Sequence, residues 1–295
     1  MSKASLEAAR SLAASAGRRV DTPVRKSFVR PMVEAAGPKA PLAQIYSGGR
    51  SGTVAVKLYL ALLWKCSSPP FCTDKPARAW AELLDLPDPR GNGARRIKDA
   101  LRTLQAAKLI ELQSQPGYPN VVTLRDESGL GGDYQLPSTA YSKAKQFSKA
   151  KQSRGDDDLR NANLYFKISK ELWVRGYLQK LKGPGLVMLL ILLAEKAGDG
   201  DKVWFSTEAF PLRYGISHKT RAAGTQELID AGLLSVTPES LANRPGASTF
   251  DVERRRKVYR LKPVAQTGQR VELPSPARPP GPPRLTPIQM TPPPK

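Results

Sequence analysis

An internal repeat restricts this chain more than any single motif, because two stretches pass through the same order of patterns. In the first, Val54, Leu58, Ala61, Leu62 and Lys65 fall at helical spacing, and Val56, Leu60, Leu63 and Trp64 widen the apolar surface, which predicts a mostly buried helix. Asp74 and Pro76 mark a second helix start, with Ala77, Trp80, Ala81 and Leu84 at i, i+3, i+4 and i+7. A third helix follows within Gly91–Leu112. Two strand-like runs, Ile110–Gln113 and Asn120–Leu124, then flank the turn Ser114–Pro119. In the second stretch, Leu186–Leu193 matches the Val54–Leu63 helix and Lys202–Ser206 reads as a short strand. Thr207 is expected to cap a helix carrying Phe210 and Tyr214, and Ser217 to cap another that runs to Ala231. Ala231-Gly232-Leu233-Leu234 corresponds to Ala107-Lys108-Leu109-Ile110, with Gly232 suited to a left-handed C-terminal cap. Lys257–Leu261 closes the unit as a strand. The match is imperfect: Arg221 and Thr225 stand where apolar side chains are wanted.

The third helix of the first repeat carries the chemistry. Asn92 is the expected N-cap, and Gly91 and Gly93 allow a sharp bend into it. Ala94, Ile97, Leu101, Leu104 and Lys108 step by three and four along one stripe. Arg95, Lys98 and Arg102 share an arc on the far side. A helix with one buried stripe and one basic face suits a major groove, and it also describes many ordinary surface helices.

Charge favours the first alternative. The chain has 47 Lys and Arg against 26 Asp and Glu, a formal charge of +21, so a polyanion is the natural partner. No apolar run approaches the roughly 20 residues that span a bilayer, which argues against a membrane. Candidate DNA-binding residues are Asn92, Arg95, Arg96, Lys98 and Arg102 in the first repeat, and Ser217, His218, Lys219, Thr220 and Arg221 in the second; of these Arg95, Arg102, Lys219 and Arg221 are the candidates for base edges. Arg244, Arg254, Arg255, Arg256 and Lys257, around the closing strand, are expected to supply sequence-independent affinity, with a solvated loop as the alternative. The N-terminus of each third helix could also offer backbone N–H groups to phosphate.

Composition divides the chain further. Residues 1–44 read as a basic arm, disordered when free, in which Ser5–Ala16 could be helical but has nothing evident to pack it; Arg18, Arg19, Arg25, Lys26 and Arg30 give it charge. Residues 45–126 and 161–264 are the two expected domains. Between them, residues 127–160 read as a basic linker holding Ser-Lys-Ala-Lys-Gln twice, then Asp156-Asp157-Asp158. Phe166–Ile168 is a possible strand and Glu171–Leu181 a helix. Residues 265–295 form a Pro-rich tail expected to be extended and disordered, with ten prolines in the last 25 residues.

Catalysis is poorly supported by inventory. There is no GxxxxGK[ST] loop, and a single histidine, His218, cannot build a paired-histidine centre. Cys66 and Cys72 are too few for zinc and read as reduced thiols. We therefore expect no enzyme activity, cofactor, bound metal or small-molecule substrate. RNA is the weaker polyanion, since no exposed aromatic platform is evident.

Helix, helix, helix, hairpin is the order of a winged helix. Ile216–Thr220 through Leu228–Leu234 resembles the helix-turn-helix signature of bacterial winged-helix regulators, and two such units resemble the tandem winged-helix initiators of plasmid replication. The resemblance covers roughly residues 50–125 and 165–262. It implies a mainly α fold with small β-hairpins, and binding to double-stranded DNA at origin repeats or an operator. It also implies host replication proteins or a second copy as partners, and a cytoplasmic, nucleoid- or plasmid-associated location. Transcriptional regulation is the alternative role. The first repeat departs from the pattern by its six-residue Pro87–Asn92 turn.

Overall fold

The first repeat begins with α3 (Gly49–Lys65), whose residues Ala55–Trp64 are all buried, as an apolar surface on every side requires. The structure, a computed structural model, describes residues 1–15, 21–31, 39–46, 49–151, 161–196, 202–240 and 255–266, with the backbone alone at 49–50 and 147–151. Its described part is mainly helical, with small antiparallel sheets. After α3 come β2 (Cys72–Thr73), α4 (Ala77–Leu83), α5 (Asn92–Ala106), β3 (Ile110–Gln113) and β4 (Val121–Leu124). The strands pair in the order β2-β4-β3, with Ile110 opposite Leu124 and Cys72 opposite Thr123.

The second repeat has α9 (Gly183–Glu195), α10 (Ala209–Tyr214), α11 (His218–Asp230), β6 (Leu234–Ser240) and β7 (Arg255–Leu261). Val203 bridges Tyr259 through both backbone hydrogen bonds, a single bridge where a short strand was expected. The start of α10 also differs from expectation: its N-cap is Glu208, without a side-chain cap, and not Thr207, while Ser206 Oγ accepts the Ala209 N–H at 3.4 Å.

The corresponding quartets after α5 and α11 build one and the same cap. Lys108 and Gly232 are both left-handed, at φ of +56° and +70°. The next N–H closes back across the last turn: Leu109 donates to the Leu104 carbonyl at 3.0 Å, and Leu233 to that of Leu228 at 2.9 Å. Leu109 and Leu233 are fully buried under their helices. Their carbonyls accept from Arg125 and Lys262, each at 2.9 Å, which ties each hairpin to its helix. Lys108 holds this conformation at a cost of about 1 kcal/mol that Gly232 avoids.

The arm, the linker and the separation of the domains require correction. Within residues 1–44, α1 (Lys3–Ser15) packs on α4, burying Ala9, and Ser5 Oγ donates to the Leu83 carbonyl at 2.9 Å. Then β1 (Asp21–Arg25) pairs antiparallel with β5 (Tyr165–Ser169), from Asp21 opposite Ser169 to Arg25 opposite Tyr165. Val24, Phe28 and Val29 enter the core, and α2 (Pro41–Tyr46) lies against α3. Within 127–160, Glu127 and Tyr134 are buried and α6 (Pro137–Lys151) is helical. The segment read as one helix over Glu171–Leu181 is two, α7 (Glu171–Val174) and α8 (Tyr177–Lys180), broken at left-handed Gly176. Buried residues of both repeats form a single cluster, so they share one core. Trp64 of α3 stacks on Trp173 of α7 with centroids 5.6 Å apart. The Lys57 ammonium of α3 donates to the Gln179 carbonyl of α8 at 2.7 Å. Burial lowers the Lys57 ammonium to about 8.

Where the repeats were misread as independent, the missing information was a partner far along the chain. An alanine-rich helix and a Thr-Pro-Val strand have no local pattern showing what covers them. Residues 16–20, 152–160 and the tail from 267, including Arg18, Arg19 and Asp156–Asp158, lie outside the described residues.

α11 also caps α9. The Glu227 carboxylate accepts the backbone N–H groups of Lys182, at 2.5 Å, and Gly185, at 2.9 Å, placing negative charge at the positive end of the apolar helix. Glu227→Gln keeps the shape and one acceptor but loses the charge. Thermal or urea unfolding should show a loss of about 1–2 kcal/mol, and no loss would mean the cap adds nothing.

Candidate nucleic-acid interface

The basic arc of α5 stands opposite a buried face. Gly93, Ile97, Ala100, Leu101 and Leu104 are buried against α3 and α4, so the helix is fixed by what it hides. Arg95, Lys98 and Arg102 are exposed, and Arg96 is half-buried. Arg102 pairs with Asp99 at 2.7 Å, but both are more exposed than buried, and such a surface pair is worth well under about 1 kcal/mol. Phosphate could replace the aspartate at little cost.

The start of α5 is not as expected. Asn92 is its first helical residue and not its N-cap. The Asp88 carboxylate, preceding by four, accepts from Gly91 N–H at 3.1 Å and Asn92 N–H at 2.8 Å, and the Asp88 carbonyl accepts from Gly93 N–H at 2.8 Å. The longer turn of this repeat is thus closed by one aspartate. It also fills the helix terminus with a carboxylate, so these N–H groups are not open to an outside anion.

At α11 the expected residues divide into two sets. Ser217 is the N-cap: its Oγ accepts the Thr220 N–H at 3.2 Å and lies 3.0 Å from Thr220 Oγ1. Ser217 and Thr220 therefore serve the helix. His218 and Lys219, in its first turn, are exposed. Arg221 is not a free reader. Its guanidinium lies 4.8 Å from the ring centre of Phe210, 5.2 Å from Phe205 and 5.7 Å from Tyr259, and donates to Tyr259 Oη at 3.0 Å. This explains the thin apolar stripe: the planar cation completes a cluster of aromatic rings, and Thr225 Oγ1 is held on the Arg221 carbonyl at 2.8 Å. Where neither side chain is apolar, Gly224 and Leu228 are the buried contacts.

On β7, Arg255 and Lys257 are exposed and Arg256 is half-buried; Arg244 and Arg254 lie outside the described residues. The three described cations border an open groove of about 1160 Å³ between α11 and the β6–β7 hairpin, which also includes Trp204, His218 and Gln226. No family model, curated protein or solved structure matches the chain.

Two exposed aromatics were missed. Trp204 is 55% exposed in that groove, and Tyr118 is 75% exposed on the turn between β3 and β4. Tyr118 lies in the turn that the sequence marks, whereas Trp204 falls in a strand-like run, and only the fold shows it facing water. Arg25 was misplaced in the opposite sense, since it is almost wholly buried. It pairs with Glu127, lies 3.4 Å from Asp126 and donates to the Gln135 carbonyl at 2.9 Å.

Cys66 is buried and Cys72 half-buried, both free thiols, and burial pushes the Cys66 thiol up to about 12. Among the described residues no cluster of three or more His, Cys, Asp or Glu could hold a metal ion, and no helix is long and apolar enough to cross a membrane.

Proposed function

We propose that this chain binds double-stranded DNA without catalysis, through two winged-helix units that share one core, and that it initiates replication of a plasmid or mobile element at repeated sites. The observation that carries the binding reading is the basic face of α5, which offers Arg95, Lys98 and Arg102 to solvent opposite a buried stripe. The matching caps after α5 and α11 support two comparable units, and the net charge of +21 supplies the attraction to phosphate. In this reading Arg95 and Arg102 meet base edges, while His218, Lys219, Arg255 and Lys257 hold phosphates. Tandem units suit tandem sites.

Selection of bound sites from random duplex tests both parts. Direct repeats support initiation at an origin, and a single palindromic operator would favour a transcriptional regulator. Arg95→Ala with Arg102→Ala should lose about 1–3 kcal/mol of discrimination for each guanine contact removed. Lys257→Ala should instead weaken all duplexes alike and reduce the salt slope by about 0.9. Identical behaviour of the two variants would refute the division into readers and anchors.

A further inference from the structure

The groove beside α11 has a feature that duplex binding does not need. Trp204 lies on its wall with 55% of its surface open, although tryptophan is a costly residue to leave in water. The Arg256 guanidinium lies 5.3 Å from its ring centre, and Arg256 Nε is buried with no hydrogen-bond partner among the described residues. A guanidinium over the indole orients the ring, and the part of this half-buried group that lines the groove can meet an anion there. Arg255, Lys257 and His218 line the same groove, as do Ile229 and Val236. A flat ring beside a row of cations is the chemistry of a single nucleic-acid strand: the backbone follows the charges and a base stacks on the ring.

We propose that this groove binds a single-stranded segment of nucleic acid, with Trp204 stacking on an unpaired base and Arg256 taking an adjacent phosphate. The occupant rests on the reading that the protein binds nucleic acid; the strand site is separate from the base-reading face of α5. It gives the protein a means of holding one strand where a duplex has opened. An intact duplex cannot use the ring, because its bases are stacked on one another.

Tryptophan fluorescence isolates this site. Trp64, Trp80 and Trp173 are each at most 3% exposed, so Trp204 is the one tryptophan a solution quencher or a base can reach. The full chain is titrated with a 15-nucleotide oligothymidylate, the matching oligouridylate and a hairpin duplex of equal charge. Either single strand should quench the exposed emission strongly, and the duplex, whose phosphates can reach Arg255 and Lys257 but whose stacked bases cannot lie on the ring, should quench it far less; the two strands report whether DNA or RNA is preferred. Trp204→Ala should weaken single-strand binding on the order of tenfold or more, with duplex affinity unchanged, and Trp204→Phe should restore most of it. Unfolding midpoints of both variants check that the fold is intact.

Single strands that leave the emission unchanged, or a Trp204→Ala variant that weakens strand and duplex equally or neither, would overturn the proposal. Loss of all duplex binding with strand binding and quenching intact would refute the duplex reading and leave this site standing.

Discussion

Replacing Arg25 by methionine should lower the unfolding free energy by about 3–5 kcal/mol at pH 8, because it strands a buried carboxylate. Arg25 joins β1 to the segment after β4. Its guanidinium pairs with Glu127, approaches Asp126 at 3.4 Å, and donates to the Gln135 carbonyl at 2.9 Å and to Asn163 Oδ1 at 3.3 Å. Its backbone N–H also donates to Glu127, at 3.2 Å. Methionine keeps the stem and removes every one of the side-chain donors.

The effect should depend on pH with a definite sign. Burial pushes the Glu127 carboxyl up to about 7, while the Arg25 guanidinium pulls it down. The folded value lies above the ordinary one of 4.5, so folding favours the protonated form. That contribution is complete below about 4.5 and is lost as pH rises through 7. Without Arg25 the carboxyl rises further, so the deficit of the methionine variant should be smaller at pH 5 than at pH 8. Glu127→Gln should flatten the stability profile between those limits, and removing both partners together should recover part of the loss. Urea unfolding at the two pH values decides it. A deficit under about 1 kcal/mol, or one that is the same at both, would show that the pair does not hold β1 in place.

Gly224→Ala is expected to destabilise the protein although alanine is the better helix former by about 1 kcal/mol. Gly224 lies on the inner face of α11, and a Cβ built there would stand 2.2 Å from the Pro184 carbonyl oxygen and 2.7 Å from Met188 Cγ. The first neighbour is backbone at the start of α9 and cannot swing aside. The two helices would have to separate, loosening the Glu227 contacts with Lys182 and Gly185. Overpacking of this kind costs about 1–3 kcal/mol or more, and it should exceed the propensity gain. Thermal unfolding should therefore show a lower midpoint, whereas Ala223→Gly, at an exposed position on the same helix, loses only the propensity difference. An unchanged or raised midpoint for Gly224→Ala would mean that α9 and α11 pack less closely than described.

Helices with a strong periodic stripe were legible, and so were the two ends of α11, whereas Asn92, Thr207 and Lys108 (the last counted in the α5 stripe) were not placed correctly. Ile97, Leu101 and Leu104 are buried as their spacing implies, and Ser217 caps α11 through the Thr220 N–H. Lys108 and Gly232 occupy equivalent caps because both helix ends need a left-handed residue before a buried leucine. Asn92 was misread because the carboxylate that caps α5 comes from Asp88, four residues earlier, in a turn of unusual length. Arg221 was misread because a cation on a helix face counts as polar in any pattern. Its neighbours Phe205, Phe210 and Tyr259 come from three separate segments. The same limitation hid Trp204, since burial belongs to the assembled surface and not to a residue type.

Local periodicity, turn chemistry and net charge by themselves determined the repeated helix–helix–helix–hairpin order and the basic outer arc of α5, because those properties depend on residues within a few positions of one another. Only the tertiary structure decided that the N-terminal strand completes a sheet with β5, that both repeats share a core, and which cations remain available. Those outcomes depend on contacts such as Arg25 with Glu127 and Arg221 with Tyr259, made between residues far apart in the chain. No local pattern records a partner that only folding brings near.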